Sequence, residues 1–348
     1  MDRRHTTIIK LIIILLCGGM TFVFVYNDFG LYDKPAGKVI YVKNHNEKQI
    51  VGIDIKNGNN KGQTVEIESS YDSSLVYDQK YHTGDVVFLD NGQSLITGIK
   101  RDHWIAAAVI IMLGMLLVFG GKQGLLTITC VAVDVAIFTV MTMLYIKGVD
   151  ILVISVVSCI FFDFMIIVLV KGISRAAFVS FLATVAALVF VGSICMFLIW
   201  TATDIGYEYL EFLPEPYTVA EADRMFLSQI MISSLGAIID VAVTITACSA
   251  ELIRKTPDIS VKSLVCSAKE VADDISGTMI NVVFFTNMAA VIPVFIISMR
   301  NDIGFFTVLK YDAFFEITRF LSGAIGILAA IPLAIIASSL FMRKGDRK

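Results

Sequence analysis

The sequence predicts a polytopic α-helical membrane protein with about eight transmembrane helices and a small extracytoplasmic all-β domain, OB-like or SH3-like, inserted after the first helix. Three observations predict this class. The chain of 348 residues is 56% hydrophobic and only 17% charged, and its mean hydropathy of +0.77 indicates that lipid is its natural solvent. Apolar runs long enough to cross a membrane recur along it. One long polar stretch, rich in β-forming residues, interrupts them.

The apolar runs each have about the 17 to 25 residues that a helix needs to cross the hydrocarbon core. We expect spans at residues 8–26, 104–120, 125–146, 151–170, 176–201, 227–252, 277–299 and 313–341. The short segments on one side of the membrane carry most of the Lys and Arg residues, and this asymmetry predicts that both termini are cytosolic. The net charge of −3 and the lack of a basic patch argue against a nucleic-acid partner.

The first span is interpreted as an uncleaved signal anchor. Arg3 and Arg4 precede its apolar core, and no small-residue cleavage site follows. Residues 1–32 therefore form a cytosolic tip with an anchor helix, which delivers residues 33–103 to the outside. Residues 104–348 form a seven-helix membrane domain.

The outer region contains short runs rich in β-branched and aromatic residues. Turn signals such as Asn57-Gly58 and Asn91-Gly92 separate them, which predicts about five or six strands in a small barrel. Barrels of this size bind ligands or partner chains, or they serve as rigid spacers. The spacer is the simpler interpretation, because no aromatic platform or cluster of charge marks a site.

Two further segments stand out between the spans. Residues 255–276 place apolar side chains on one helical face and charged ones elsewhere, which predicts an amphipathic cytosolic linker helix. The outer loop at residues 202–226 carries six acidic residues against Arg224 alone. It is either a mouth that gathers cations or a solvated acidic lid.

Asp240 lies at the centre of the sixth span, where a carboxylate costs from a few to about 10 kcal/mol. Such residues mark ion or proton paths, so Asp240 is the first candidate for a coupling carboxylate. Small and polar residues recur around it at helical spacing, and we expect their stripe to face protein rather than lipid. The stripe consists of Ser233, Gly236, Asp240, Thr244, Ala247 and Glu251. For Glu251, at the inner end of the span, the alternative is a side chain that reaches water.

Two more acids lie in other spans and are accessory candidates. Asp134 is near the middle of the third span, and Asp163 is in the cytoplasmic half of the fourth. Acids at similar depth without a base between them alter one another's proton affinity and can relay protons. The alternative is that they bond to hydroxyl groups on neighbouring helices.

Polar residues of the last two spans complete the candidate set. Asn281 and the secondary candidate Asn287 belong to the seventh span, where they either line a path or join helices by hydrogen bonds. Glu316 and Arg319 begin the eighth span and are most simply a local ion pair. The four histidines are too scattered for a metal site, and neither a phosphate-binding loop nor a nucleophile elbow indicates an enzyme. No cofactor is expected.

The motifs LGAIIDVAVTITACSAEL, from Leu235, and DISGTMIN, from Asp274, resemble the signature of the YibE/F-like family of bacterial multi-pass membrane proteins. GGKQGLLTI at residues 120–128 and the layout of anchor plus β domain extend the resemblance over essentially the whole chain. Where relatives carry Gly-Arg before the aspartate of the second motif, this chain has Ala272-Asp273. The resemblance implies a bacterial cytoplasmic membrane protein, of a family treated as predicted permeases and often encoded as adjacent pairs.

The residues around Asp240 also resemble, over a shorter stretch, the fourth helix of one half of resistance-nodulation-division permeases. Leu235, Gly236, Glu251 and Arg254 fall at matching positions. In those proteins aspartates of this helix take up the protons that drive export, but they carry two aspartates where this chain has one.

These observations favour a secondary permease, coupled to protons or another ion, whose small-molecule or ion substrate the sequence does not specify. The alternative is a scaffold or assembly subunit that does not transport, whose outer β domain binds partners. Because no internal repeat supplies a second half, we expect a homodimer or a pair with a paralogous membrane protein, surrounded by membrane lipid.

Overall fold

The computed structural model describes residues 3–45, 47–58, 60–72, 74–75, 78–201, 205–207 and 218–342. The predicted fold class is confirmed: along the chain one apolar helix precedes a small antiparallel sheet and further apolar helices follow it. The helices are α1 (Arg3–Tyr26), α2 (Asp102–Ile146), α3 (Ile151–Lys171), α4 (Arg175–Thr201), α5 (Val219–Lys255), α6 (Val261–Arg300), α7 (Phe305–Tyr311) and α8 (Phe314–Phe341). The strands are β1 (Ala36–His45), β2 (Lys48–Ile55), β3 (Thr64–Ser70), β4 (Val86–Leu89) and β5 (Ile96–Ile99). The chain divides into two compact units, Met1–Ile128 and Thr129–Lys348.

Seven of the described helices are long and apolar enough to cross a membrane, and α2 contains two of the predicted spans. Its 45 residues would measure about 67 Å if straight, more than twice the thickness of the hydrocarbon core. The helix breaks at Gly121, which has φ 55° and ψ −124°. A methyl group on Gly124 would lie 1.9 Å from the carbonyl oxygen of Leu116, whereas residues eight apart in a straight helix are about 12 Å apart. The chain therefore bends back sharply at this glycine-rich segment.

Helix α6 joins two elements that the sequence predicts separately. The amphipathic linker and the seventh span form one continuous helix, which begins after Ser260, whose hydroxyl accepts a hydrogen bond from the Ser263 N–H. The predicted apolar side of the linker is buried at Leu264, Ala268 and Ala272. Val261 and Val265 of the same predicted side are exposed, and the helix begins at Val261, within the predicted linker.

The β domain is a five-stranded sheet in the order β3-β2-β1-β4-β5, with every neighbouring pair antiparallel. Its strands curve around a core built from alternate residues of each strand, as a half-buried sheet requires. The core includes Val39, Val51, Ile53, Ile55, Val87 and Leu89. Strands β3 and β5 are the two edges.

Two polar side chains fix turns of the β domain. The Asn57 amide, buried beneath the start of β1, donates to the carbonyls of Phe29, Tyr32 and Lys34 and accepts from the N–H of Ala36. The Asp90 carboxylate accepts from the N–H groups of Leu95 and Ser94 at 2.9 and 2.7 Å. The bond from Leu95 first, and then that from Ser94, holds the pKa of Asp90 below its usual 3.8.

A buried lysine joins the β domain to α1 and α2 within the first unit. The Lys100 ammonium lies 2.7 Å from Asp28 Oδ1 and 3.2 Å from Asp102 Oδ1. It donates to the Val25 carbonyl and lies over the ring of Tyr32. The sequence alone did not single out this cluster, because its acids come from segments more than 70 residues apart.

In the second unit α5 is the central helix. It packs most extensively against α8 and α4, and also against α3 and α6. Gly326 on α8 lets these helices approach closely, since a methyl group there would lie 2.7 Å from Ile238 of α5. Buried small and branched residues of α5, including Val241, Ala242 and Ile245, complete this contact.

Candidate functional site

The polar stripe of α5 forms the uncovered side of this central helix. Ser233, Gly236, Asp240 and Ala247 are exposed, while the residues between them are mostly buried. We expected the stripe to face protein, yet the described helices of this chain cover the other sides of α5 instead. The physical reason is that the large apolar residues of α5 provide more contact area for α4 and α8 than the small stripe does.

A cavity of about 320 Å³ borders the stripe, between α3 and α5. Its walls are formed by Ile166 and Ile167 of α3 and by Gly236, Ile239, Asp240, Val243 and Thr244 of α5. Asp240 is the one acid in this lining, and its carboxylate has no hydrogen-bond or ion-pair partner in the part of the chain described. The Thr244 hydroxyl donates to the Asp240 backbone carbonyl at 2.8 Å. The space beside Gly236 is open, since a methyl group there would meet no atom within 4 Å.

Asp163 on α3 is the buried acid of the second unit. Its exposed fraction is 0%, and neither carboxylate oxygen has a hydrogen-bond partner within the described residues. It lies one turn before Ile167, which lines the cavity beside Asp240. The structure therefore places Asp163 one helical turn along α3 from a residue that lines the cavity beside Asp240.

A hydroxyl group of α4, that of Thr184, lies next to Asp163. The Thr184 side chain is fully buried beside the carboxylate, and its hydroxyl donates to the Ser180 carbonyl at 3.0 Å. That bond uses the only proton of the Thr184 hydroxyl and leaves its lone pairs free to accept another. The sequence analysis missed Ser180 and Thr184, although their spacing of four residues places them on one helical face.

The remaining acids lie elsewhere. Asp134 on α2 is half-buried and does not line the α3–α5 cavity; its Oδ2 accepts from the Cys130 thiol at 3.8 Å, and its Oδ1 has no partner in the described chain. Glu251 lies 11 residues beyond Asp240, about 16 Å along the helix. There it pairs with Arg254 at 2.8 Å and Lys255 at 3.3 Å.

The polar residues of α6 and α8 bond within their own helices. The Asn281 amide donates to the Gly277 carbonyl at 2.8 Å, and the Asn287 amide to the Val283 carbonyl at 2.7 Å. Glu316 and Arg319 form the local ion pair that their spacing predicts, at 2.9 Å. None of these four side chains lines the α3–α5 cavity.

Most of the acidic loop lies outside the described residues, including Asp204, Glu208, Glu211 and Glu215. At its described end Arg224 pairs with Asp150, which caps α3, and the Tyr207 hydroxyl donates to Asp223 at 2.6 Å. Among the described residues no three His, Cys, Asp or Glu side chains converge to hold a metal ion.

Two protein-family models match this chain, one over the membrane helices and one over the β domain. The model of the YibE/F-like protein family matches residues 108–344, which contain the cavity, Asp240 and Asp163. The chain belongs to the YibE/F-like family. The β domain of this YibE/F-like protein matches the family's N-terminal domain over residues 30–100. The resemblance carried by the motifs is therefore confirmed. Comparisons with curated proteins and with solved structures gave no match.

Proposed function

We propose that this YibE/F-like protein is a secondary permease driven by protons, in which Asp163 takes up the proton and Asp240 faces the permeation cavity. The observation that carries the proposal is the complete burial of Asp163 without a partner for either oxygen. The sequence alone favours Asp240 as the coupling group. The burial of Asp163 supports this residue, on the neighbouring helix α3, as the proton site instead.

The burial of Asp163 without a partner favours its protonated carboxyl group over the ionised one. An ionised carboxylate with neither counter-charge nor hydrogen bond is expensive to bury, by several kcal/mol even after relaxation. The neutral acid avoids that cost. Its O–H also has an acceptor at hand in the Thr184 hydroxyl, whose own proton is directed to Ser180. Release of the proton then creates a charge that favours another conformation, which is how a titrating group drives a transport cycle.

Asp240 is suited to contact the transported species. It lies in the cavity wall, without a partner in the described chain, beside the hydrophobic side chains of Ile166 and Ile167. An ionised Asp240 would attract a cation or the cationic group of a small molecule. The cavity volume of about 320 Å³ is at the small end of ligand pockets.

The proposal places the protein in the bacterial cytoplasmic membrane with both termini cytosolic, as the Lys and Arg distribution supports. A second chain, identical or paralogous, would cover the exposed stripe of α5 beyond the cavity, at Ser233 and Ala247, and would border the cavity at Gly236. Residues with small side chains, such as Gly236, suit such close helix contact. No catalytic step and no cofactor belong to this function.

Proton movement in vesicles tests the proposal. The purified chain is reconstituted into liposomes that contain a pH-sensitive dye, and gradients of Na⁺, K⁺, Ca²⁺ and a lipophilic amine are applied in turn. We expect at least one gradient to move protons through the natural chain. Asp163→Asn should abolish that movement and Asp240→Asn should reduce it.

The matched control is Asp134→Asn, which removes an acid of another membrane helix that does not line the cavity. It should transport like the natural chain. Full proton movement through Asp163→Asn, or none through the natural chain with any gradient, would contradict the proposal.

A further inference from the structure

The two edge strands of the β domain border a common groove. Residues 67–70 of β3 form one side and residues 95–98, from β5 and the residue before it, form the other. Asp78, Gln79 and Tyr81 form the remaining wall, and the enclosed volume is about 350 Å³. The groove is thus the open seam of a partly closed barrel.

The strand directions favour one kind of occupant. Neighbouring strands in the order β3-β2-β1-β4-β5 run in opposite directions, and three strands lie between the two edges. The edge strands β3 and β5 therefore run in the same direction. A single added strand between them can therefore run antiparallel to both. Each edge strand pairs on one side only and presents free N–H and C=O groups on the other. Four residues of β3 line one side, and Ile96, Thr97 and Gly98 of β5 line the other, since the N–H and C=O of Leu95 already bond to Asp90. This length matches an added strand of about three to four residues.

The floor of the groove has room for apolar side chains. Ile67 and Ile96 face the barrel core. At Gly98 an added methyl group would meet no atom within 4 Å, and its backbone has no positive φ. The floor therefore has room for an inward-pointing side chain of an added strand, in which every second residue points inward.

The rim of the groove is acidic. Glu68 and Asp78 are its charged lining residues, and no Lys or Arg of the described chain lines it. Glu68 Oε1 also forms an ion pair with Lys48 Nζ at 2.8 Å, but both side chains are exposed. Such exposed ion pairs contribute little free energy in water. The charge of the rim favours basic side chains pointing outward and repels nucleic acid.

We propose that this groove binds an extended segment of a partner protein, which adds a sixth strand antiparallel to both β3 and β5. The segment has about four residues, with apolar side chains inward and Lys or Arg outward. Main-chain hydrogen bonds to β3 and β5 provide its affinity, and the fit of its side chains provides its sequence specificity. This interaction surface is independent of the transport proposal.

The test uses the full chain in lipid nanodiscs and a fluorescent peptide, acetyl-Val-Lys-Val-Lys-Val-amide. We expect saturable binding by fluorescence anisotropy and slower hydrogen exchange at the amides of residues 64–70 and 96–99. A peptide with N-methylated backbone amides and a peptide with Glu in place of Lys should each bind at least about tenfold more weakly, a change of about 1.4 kcal/mol or more.

Gly98→Val fills the floor and should weaken binding by about tenfold or more. Thr64→Val is the matched control, because Thr64 is exposed at the start of β3 and does not line the groove, and it should bind normally. Should Gly98→Val disturb the barrel, the pair Glu68→Gln and Asp78→Asn tests the rim instead and should weaken binding of the Lys peptide. Absence of binding, equal binding of the N-methylated peptide, or unchanged exchange at both edges would overturn the proposal.

Discussion

Replacing the buried lysine should loosen the joint between the β domain and its two flanking helices. In Lys100→Met the apolar stem is kept and the charge is lost. The lysine side chain is 0% exposed and that of Asp28 is 8% exposed, whereas Asp102 is 39% exposed. Asp28 is therefore left as an uncompensated buried charge, while Asp102 keeps contact with solvent and its hydrogen bond from Tyr32. Removing one partner of a buried ion pair lowers the free energy of unfolding by about 3 to 5 kcal/mol, because the other charge stays buried without a partner.

The change is measurable as hydrogen exchange of the amides in β5 and in the first turn of α2. Local opening there should become more frequent by about a hundredfold or more, the equivalent of about 3 kcal/mol. Adding Asp28→Asn to Lys100→Met should recover much of the protection, because it removes the orphaned charge. Lys48→Met is the matched control, since it breaks an ion pair exposed on both sides, and it should leave exchange there unchanged. Equal exchange in Lys100→Met and Lys48→Met would refute the reasoning.

Three further substitutions test other parts of the fold. Gly124→Ala should strongly reduce the yield of folded protein on size-exclusion chromatography, because its methyl group would lie 1.9 Å from a backbone oxygen; Gly120→Ala meets no atom within 4 Å and should behave normally. The pKa of Asp90 is lowered, first by the N–H of Leu95, so its bonds stabilise the turn at neutral pH and are lost as pH falls below its usual 3.8. Protection of the turn amides, taken relative to the intrinsic exchange rate at each pH, should therefore fall on acidification in the natural chain and be low at every pH in Asp90→Ala. Asn57→Ala leaves four backbone groups unsatisfied and should destabilise the β domain by about 2 kcal/mol or more in thermal melts; an unchanged melt would contradict the role given to its amide.

The membrane helices and the barrel could be predicted because their signals are local. Apolar run length gives the spans, and turn residues such as those at Asn57 and Asn91 separate the strands. The break in α2 also follows from sequence, since GGKQG at residues 120–124 falls between two predicted spans. The continuity of the linker with the seventh span in α6 could not be predicted, because the spans were located by their apolar run length alone.

The arrangement of the site could be predicted only in part. Helical spacing grouped Gly236, Asp240 and Thr244 correctly on one face, but spacing does not say which face of a helix its neighbours cover. The full burial of Asp163 depends on contacts of α3 with α4 and α5, which no single segment encodes. The same holds for Lys100, whose position next to Arg101 in the sequence is typical of a solvated charge at a membrane surface.

The protonation state of Asp163 tests the proposed mechanism most directly. Infrared spectroscopy of the reconstituted protein reports the C=O stretch of protonated carboxyl groups in an apolar environment. We expect such a band at neutral pH in the natural chain and in Asp240→Asn, and its loss in Asp163→Asn. A band that persists unchanged in Asp163→Asn would contradict the assignment of Asp163 as the proton site.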